Sequence, residues 1–277
     1  MHHAAVVFTK VPEAGRVKTR LTIERDGIFT SEEAKVFYEA SLLDVIDHCI
    51  ASDCCDVYIC YNQGGDADYL KQLVLTLPSP QSIKGIFADE GGPFDRAMQY
   101  AADYILRNGE AGRLADAVFI VGGDMPCLQP AHIQQAVQKM EILAATEKAL
   151  ACAKLCEARS SDIGAAIIES ADQAGGFNII GYTCTAPFRF ESVFYNPEGM
   201  TALDAVARKA LEGNIPINLI EMVPDIDLPE DLGGLIPVMN TLQLAKRYDD
   251  TVILPIRTIR VLQAIGLESV AFPKDNC

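Results

Sequence analysis

The sequence lacks any apolar run long enough to cross a bilayer. Its longest stretches, such as 117–121, are only five to seven residues and suit buried strands. Basic residues are scarce: 23 Lys and Arg stand against 38 Asp and Glu, for a formal net charge of −15. That deficit speaks against a nucleic-acid binder and against docking on an anionic membrane, since both need a basic face. No C-x-x-C pair occurs among the nine cysteines, an odd and scattered count. No G-x-S-x-G, H-E-x-x-H or G-x-G-x-x-G is present either, and the P-loop spacing is missing. The N-terminus runs almost directly into an apolar strand, without a basic leader or a cleavage site. The reading is therefore a cytoplasmic protein with reduced, mostly buried thiols. Cys152 and Cys156 could offer two zinc ligands, but their spacing fits one face of a strand or helix equally well.

What is present is alternation. Short apolar runs at 4–9, 56–61, 85–88 and 117–121 are separated by helical patterns at 30–49, 66–75, 93–106 and 130–145. That order predicts a mostly parallel sheet with helices on both faces. Thr30 and Glu33 have the spacing of a capping box at the head of the first helix. Phe94, Ala97, Met98, Ala101, Ala102 and Ile105 fall on one helical stripe and are expected in the core. Further strands are predicted at 149–153, 165–168, 178–182 and, as an edge, 215–222, with a helix at 201–211. A helix from Pro229 is expected to break at Gly233 and Gly234, followed by a separate helical stretch over 240–248. No repeat, low-complexity tract or linker divides the chain. The organisation expected is one α/β domain over 1–249, with 250–277 as a C-terminal appendage of a strand, a short helix and a tail.

Chemistry concentrates in four places. The first is the loop after the opening strand, where Lys10, Arg16, Lys18 and Arg20 put four cations into eleven positions of an acidic chain. Ligands of open α/β sheets bind beyond the carboxyl ends of the strands. There, Gly15 would let the backbone turn and the cations would cradle phosphate. Otherwise the loop is a solvated one whose charges balance nearby carboxylates. The second is Gly122-Gly123-Asp124-Met125-Pro126 at the end of the central strand. Asp124 could hold Mg²⁺ or Mn²⁺ there, or it could simply accept backbone amides.

The third is Asp225-Ile226-Asp227-Leu228-Pro229-Glu230. Asp227 and Glu230 have capping-box spacing, so Asp227 is either a helix N-cap or, like Asp225, a second carboxylate for the metal. The fourth is Gly175-Gly176-Phe177-Asn178, whose glycines permit a close ligand approach or a β-bulge. Gly91, Gly92 and Arg96 could pass near a base or ribose, or could form an ordinary helix start. His48 and His132 fall within predicted helices and are read as core or surface residues.

These pieces, in this order, resemble the bacterial and archaeal glycosyltransferase-like family associated with arsenosugar biosynthesis. The opening run from Phe8 to Leu21 is also similar to that of the 2-phospho-lactate guanylyltransferases. The resemblance spans roughly 4–248. It implies a GT-A-type nucleotide-diphospho-sugar transferase fold, a single Rossmann-like domain. Carried over, Lys18 and Arg20 would contact phosphates, Asp124 would hold the metal with help from Asp227, and Gly175 and Gly176 would face the acceptor. The partners implied are a nucleotide-sugar or NTP and a small-molecule acceptor, with a homodimer expected if the tail beyond Thr251 serves as an interface. Two departures stand out: Ala174 replaces the acidic residue that precedes the family's paired glycines, with Asp172 two positions earlier, and the tail has no counterpart. The leading expectation is glycosyl transfer. The alternatives are nucleotidyl transfer with release of pyrophosphate and a nucleotide-binding protein without turnover. No general base is evident, and Asp172 and Glu198 are the candidates.

Overall fold

A computed structural model describes residues 1–155 and 162–267. Its centre is a seven-stranded sheet in the order β3-β2-β1-β4-β6-β5-β7. The strands are β1 (His3–Thr9), β2 (Asp56–Tyr61), β3 (Ile83–Ala88), β4 (Ala117–Gly122), β5 (Ile167–Ala171), β6 (Phe177–Thr183) and β7 (Ile217–Leu219). The β1–β2, β1–β4, β2–β3 and β5–β7 pairs are parallel, whereas β6 runs antiparallel to both β4 and β5. The expected mostly parallel mixed sheet is what forms, with helices on both faces.

Helices α1 (Ser31–Ala51), α2 (Ala67–Val74) and α4 (Pro130–Ala144) cover one face. Their Leu42, Ile46, Leu70, Ile133 and Met140 pack on Val7, Ile59, Phe119 and Val121 of the strands. On the other face α3 (Phe94–Leu106) and α6 (Ala202–Glu212) lay Met98, Ile105 and Val206 against Val6, Ile120 and Ile180. The alternation of strand side chains sorts neighbours such as Val6 and Val7 to opposite faces. At the head of α1, Glu33 N–H donates to Thr30 Oγ1 at 3.2 Å and Thr30 N–H to Glu33 Oε2 at 2.7 Å, so the capping box is formed.

Four expectations are corrected. The predicted strand at 149–153 is part of a helix, α5 (Glu147–Leu155). Ala149, Cys152 and Ala153 are its buried residues, at helical i, i+3, i+4 spacing, and Ala and Leu are strong helix formers. Gly233 and Gly234 do not interrupt α7, which runs unbroken over Pro229–Ala245. Burial of Leu232, Leu235 and Met239 on one side outweighs about 1 kcal/mol lost per glycine. No strand is found among the described residues after 250. Instead α8 (Ile256–Ile265) lies against α1. Its Ile259 and Leu262 join Phe29, Phe37, Leu235 and Met239 in a third hydrophobic cluster. Finally, Phe94 is not a core residue but 42% exposed, whereas the rest of its stripe is buried. His48 is buried in α1, and His132 in the first turn of α4 accepts the Gln129 N–H. Cys156, and with it the zinc pairing considered for Cys152, lies outside the described residues. No described helix is long and apolar enough to cross a membrane.

Candidate active site

The carboxyl ends of β1, β2, β3 and β4 and the start of β6 open into a cleft of about 790 Å³. Lys10, Arg16, Lys18 and Arg20 line it, opposite Asp124, Asp225 and Asp227. The loop carrying the cations is pinned at both ends. Val11 N–H donates to Asn62 Oδ1 at 2.7 Å, and Leu21 is fully buried in the third cluster. Between them Lys18 takes a left-handed backbone (φ 45°, ψ 37°), a conformation costing a side-chain-bearing residue about 1–2 kcal/mol. That turn sends its ammonium inward. Lys18 Nζ donates to Asp124 Oδ2 at 2.7 Å and to Asp227 Oδ1 at 2.8 Å, with only 5% of the side chain exposed. Burial alone would lower its pKa, but the two carboxylates outweigh it and hold the ammonium well above the usual lysine range. Arg20 Nη1 reaches the other Asp227 oxygen at 3.2 Å.

The three aspartates come from two loops, joined where Ile226 N–H donates to Asp124 O at 3.3 Å; side chains at β6 hold the second loop, Asn178 Nδ2 donating to Val223 O at 2.7 Å and Gln173 Nε2 to Asp225 O at 3.0 Å. One carboxylate oxygen from each of Asp124, Asp225 and Asp227 lies within 4.8 Å of the others. The Asp225 carboxylate accepts no hydrogen bond among the described residues. Burial and the neighbouring charges of Asp124 and Asp227 push its carboxyl up to about 6. Asp227 is also burdened by burial, but Lys18 and Arg20 pull its carboxyl below the usual range. A set of three hard, closely spaced oxygens fits Mg²⁺ or Mn²⁺ and not a thiophilic metal.

The capping-box reading of Asp227 is overturned. Asp231 Oδ2 accepts the N–H groups of Leu228 (2.7 Å) and Asp227 (2.9 Å), so Asp231 serves the head of α7. The Asp227 carboxylate is thereby left for the cations. Other expected residues divide. Gly92, Gly123 and Gly176 line the cleft, whereas Gly15, Arg96 and Gly175 are not among its lining residues. Arg96 pairs with Glu90 at 3.0 Å, and Gly15 turns the loop at φ +76°. Gly175, at φ +86°, turns the chain into β6, and Asp172 Oδ1 closes that turn by accepting Ala174 N–H and Gly176 N–H at 2.6 and 2.8 Å. The displaced acidic residue thus reaches the cleft despite Ala174. Glu198 is paired with Arg208 and does not line the cleft.

Sequence reasoning missed Tyr38. Its hydroxyl shares a 2.7 Å hydrogen bond with Thr9 Oγ1, and its ring lies 5.9 Å from Lys18 Nζ. Burial, then the charge of Asp124, raises the phenol to about 12, so it stays neutral. Tyr38 sits in the interior of α1, and no local signal marks it. Gln63 and Asp89, at the ends of β2 and β3, were missed as a unit too: Asp89 Oδ1 accepts the N–H of Gln63 at 2.7 Å and of Gly91 at 2.8 Å.

An open α/β sheet with cations after β1 and carboxylates after β4, all facing one cleft, defines a class of Rossmann-like ligand-binding domains. Within it, the chain belongs to the DUF2064 family, described as an uncharacterized protein conserved in bacteria, whose profile matches residues 45–197. No curated protein matches. Among solved structures, a candidate nucleotide-diphospho-sugar transferase from Desulfovibrio desulfuricans is similar over 97% of this chain and 100% of its own, with a TM-score of 0.68 and 20% identity. A nucleotidyl transferase from Methanothermobacter thermautotroptrophicus is similar over 87% of this chain and 99% of its own, at a TM-score of 0.47 and 11% identity. A 4-diphosphocytidyl-2C-methyl-D-erythritol synthase from Anaerococcus prevotii covers 87% and 96%, at 0.45 and 10%. The first of these likenesses is one of fold: the chain has the α/β fold of the nucleotide-diphospho-sugar transferases.

Proposed function

We propose that the protein is a metal-assisted transferase that takes a nucleotide-diphospho-sugar and passes its glycosyl group to a small acceptor. The observation that carries this reading is the meeting, in one cleft, of the basic β1 loop with the Asp124, Asp225 and Asp227 carboxylates. Such a pairing suits a diphosphate: cations grip its outer oxygens, and carboxylates hold a divalent ion against the rest. Asp124, Asp225 and Asp227 would hold Mg²⁺ or Mn²⁺, which when bound would supply charge neutralisation of the departing diphosphate. In the transfer, an acceptor oxygen forms a bond to the sugar's anomeric carbon while the bond from that carbon to the diphosphate oxygen breaks. The leaving diphosphate keeps the electron pair, and Arg16, Lys18 and Arg20 stabilise the charge that builds on it. Gln63 and the backbone at Gly91 and Gly92, beyond β2 and β3, are suited to the base and ribose. Asp172 is the carboxylate on the β6 side of the cleft and the better-placed candidate to take the acceptor proton.

Nucleotidyl transfer is the second reading, and it rests on the number of cations. Four along one loop are enough to grip a triphosphate, with pyrophosphate as the leaving group. The test is calorimetric titration with nucleoside diphosphates, nucleotide-sugars and NTPs, each with and without Mg²⁺ or Mn²⁺. Metal-dependent binding of a nucleotide-sugar and its diphosphate, lost in Asp124→Ala, is the expected result. A metal-dependent preference for one NTP selects nucleotidyl transfer. Unchanged binding in Asp124→Ala would sink the metal assignment, and no binding by any nucleotide would sink both readings.

A further inference from the structure

The cleft has a second wall of a different kind. Phe8 at the end of β1, Phe94 at the start of α3, Phe177 at the start of β6, and Phe194 and Tyr195 all line it. The four phenylalanine rings form a continuous aromatic surface, with Tyr195 beside Phe194 in the chain. The Phe8 and Phe94 ring centroids are 5.6 Å apart, Phe94 and Phe194 are 4.6 Å apart, and Phe177 and Phe194 are 5.3 Å apart, the first two pairs edge to face. Aromatic residues are only 7% of the chain, so this concentration in one cleft is not a matter of composition. The surface is also left open. Phe94 is 42% exposed and Tyr195 95% exposed, although a ring of either type gains by burial.

The loop of the wall is fastened from behind. Phe194 N–H donates to Asp95 Oδ1 at 2.9 Å, which fastens the loop to the first turn of α3. Asn196 closes the same loop, accepting Met200 N–H and donating to Met200 O, both at 3.0 Å. Tyr195 itself is held at φ 52°, a backbone conformation disfavoured for a tyrosine. Its ring stands out at the mouth of the cleft.

Topology says which part of a substrate meets this wall. The phosphate-binding groups lie over the carboxyl ends of β1 and β4, the middle of the order β3-β2-β1-β4-β6-β5-β7. Polar groups for a base and ribose lie to one side, over β2 and β3. The aromatic wall runs from Phe8 on β1, with Phe94 against it, across to Phe177 on β6 at the other side. A nucleotide with its phosphates at Lys18 and its base at Gln63 leaves the β6 side of the wall free, so Phe177, Phe194 and Tyr195 face what lies beyond the diphosphate. The transferred sugar stays bonded to that diphosphate, whereas Tyr195 stands at the outer mouth.

We propose that the wall is the acceptor subsite and that the acceptor carries an apolar ring beside its reacting group. This rests on the transferase reading above, and it holds for either leaving group. The wall supplies apolar faces, and its only hydrogen-bonding side chain is the Tyr195 hydroxyl, so it would select against small polyols and polyanions.

Ligand-observed saturation-transfer NMR tests this with 4-nitrophenol and cyclohexanol as ring probes and glycerol and glucose as controls. The wild type is compared with Tyr195→Ala and Phe94→Ala, and Mg²⁺–nucleoside diphosphate binding is measured on all three. Tyr195 is almost wholly exposed, so its replacement leaves folding intact. The expected result is saturable binding of the ring probes, weakened about tenfold in both variants, with nucleoside diphosphate binding within twofold of wild type. Free nucleosides should not displace the probes. Displacement by nucleosides, or loss of nucleoside diphosphate binding in the variants, would make the wall a base platform and overturn the proposal. Glucose binding as well as the ring probes would assign the wall to the transferred sugar and also overturn it, as would ring probes that ignore both substitutions. Failure of every nucleoside diphosphate on the wild type would instead remove the transferase reading, and with it the acceptor assignment, whatever the ring probes do.

Discussion

Replacing Lys18 by methionine separates the role the site shows for it, neutralising carboxylates, from the one proposed for it, binding phosphate. Lys18 Nζ occupies the place between Asp124 and Asp227 that a divalent cation would contest, at 2.7 and 2.8 Å from their oxygens. Two unit charges about 4 Å apart interact by about 4 kcal/mol at an effective dielectric constant of 20. Lysine and metal therefore compete for the same oxygens. Removing one partner of a buried ion pair costs about 3–5 kcal/mol. With Asp124 25% and Asp227 44% exposed, solvent screening brings the expected loss down to about 2–3 kcal/mol. For a chain of 277 residues that is a drop of about 5 °C in Tm without metal. Manganese alone, with no nucleotide, should then bind Lys18→Met at least tenfold more tightly than the wild type, a difference of about 1.4 kcal/mol. At about 100 times its Kd it should return roughly 2.7 kcal/mol, most of what was lost. Nucleotide binding should weaken at the same time, because the proposed phosphate contact would be lost. Thermal melts and calorimetry with MnCl₂ read both quantities. If Lys18→Met melts with the wild type, or if manganese stabilises both proteins equally, the cation-competition reasoning is wrong.

Three further outcomes follow from the fold. Asp44 is 2% exposed and accepts Thr258 N–H and Oγ1–H, both at 2.8 Å, and Arg257 Nη1–H at 3.0 Å, so Asp44→Ala should cost about 3 kcal/mol and free α8 to proteolysis. A urea melt within 0.5 kcal/mol of wild type would show that α8 docks without it. Glu169 on β5 is 1% exposed with one oxygen unpartnered, and burial pushes its carboxyl up to about 8 from 4.5. The folded state holds that proton where the unfolded chain has released it. Glu169 therefore favours folding fully below about pH 4.5, and that contribution is lost as pH rises through about 8. Glu169→Gln should flatten the stability profile across that window and be the more stable protein at pH 9; parallel profiles would contradict this. An added Cβ at Gly234 meets nothing within 4 Å, so Gly234→Ala should raise stability by about 0.5–1 kcal/mol. A loss instead would mean that α7 needs the glycine.

Much of the scaffold is legible because its determinants are local. The Thr30–Glu33 box starts α1, and the Asp66 and Thr201 side chains cap α2 and α6 by accepting backbone N–H groups two or three positions on. Alternation of β-branched runs with helical stripes was enough to order β1 to β4 and the helices between them. Local cues misled where burial decides. Residues 149–153 could form a strand or a helix, and packing against the second face made them helical. Gly233 and Gly234 carry a local cost that Leu235 and Met239 repay only once α8 and Phe37 are in place.

The site divides the same way. Spacing placed a basic loop after β1 and an aspartate after β4, because a parallel α/β chain brings such loops to one edge of the sheet. Two things depended on residues distant in the chain. Lys18 meets Asp227 across 209 positions, and Phe8, Phe94, Phe177 and Phe194 assemble one wall from four segments. By itself the sequence determined the elements and the edge where chemistry gathers, since period and capping act within a few residues. The tertiary structure decided which charges neutralise one another and which rings stay exposed, since ion pairs and burial depend on distances that the chain sets only when folded.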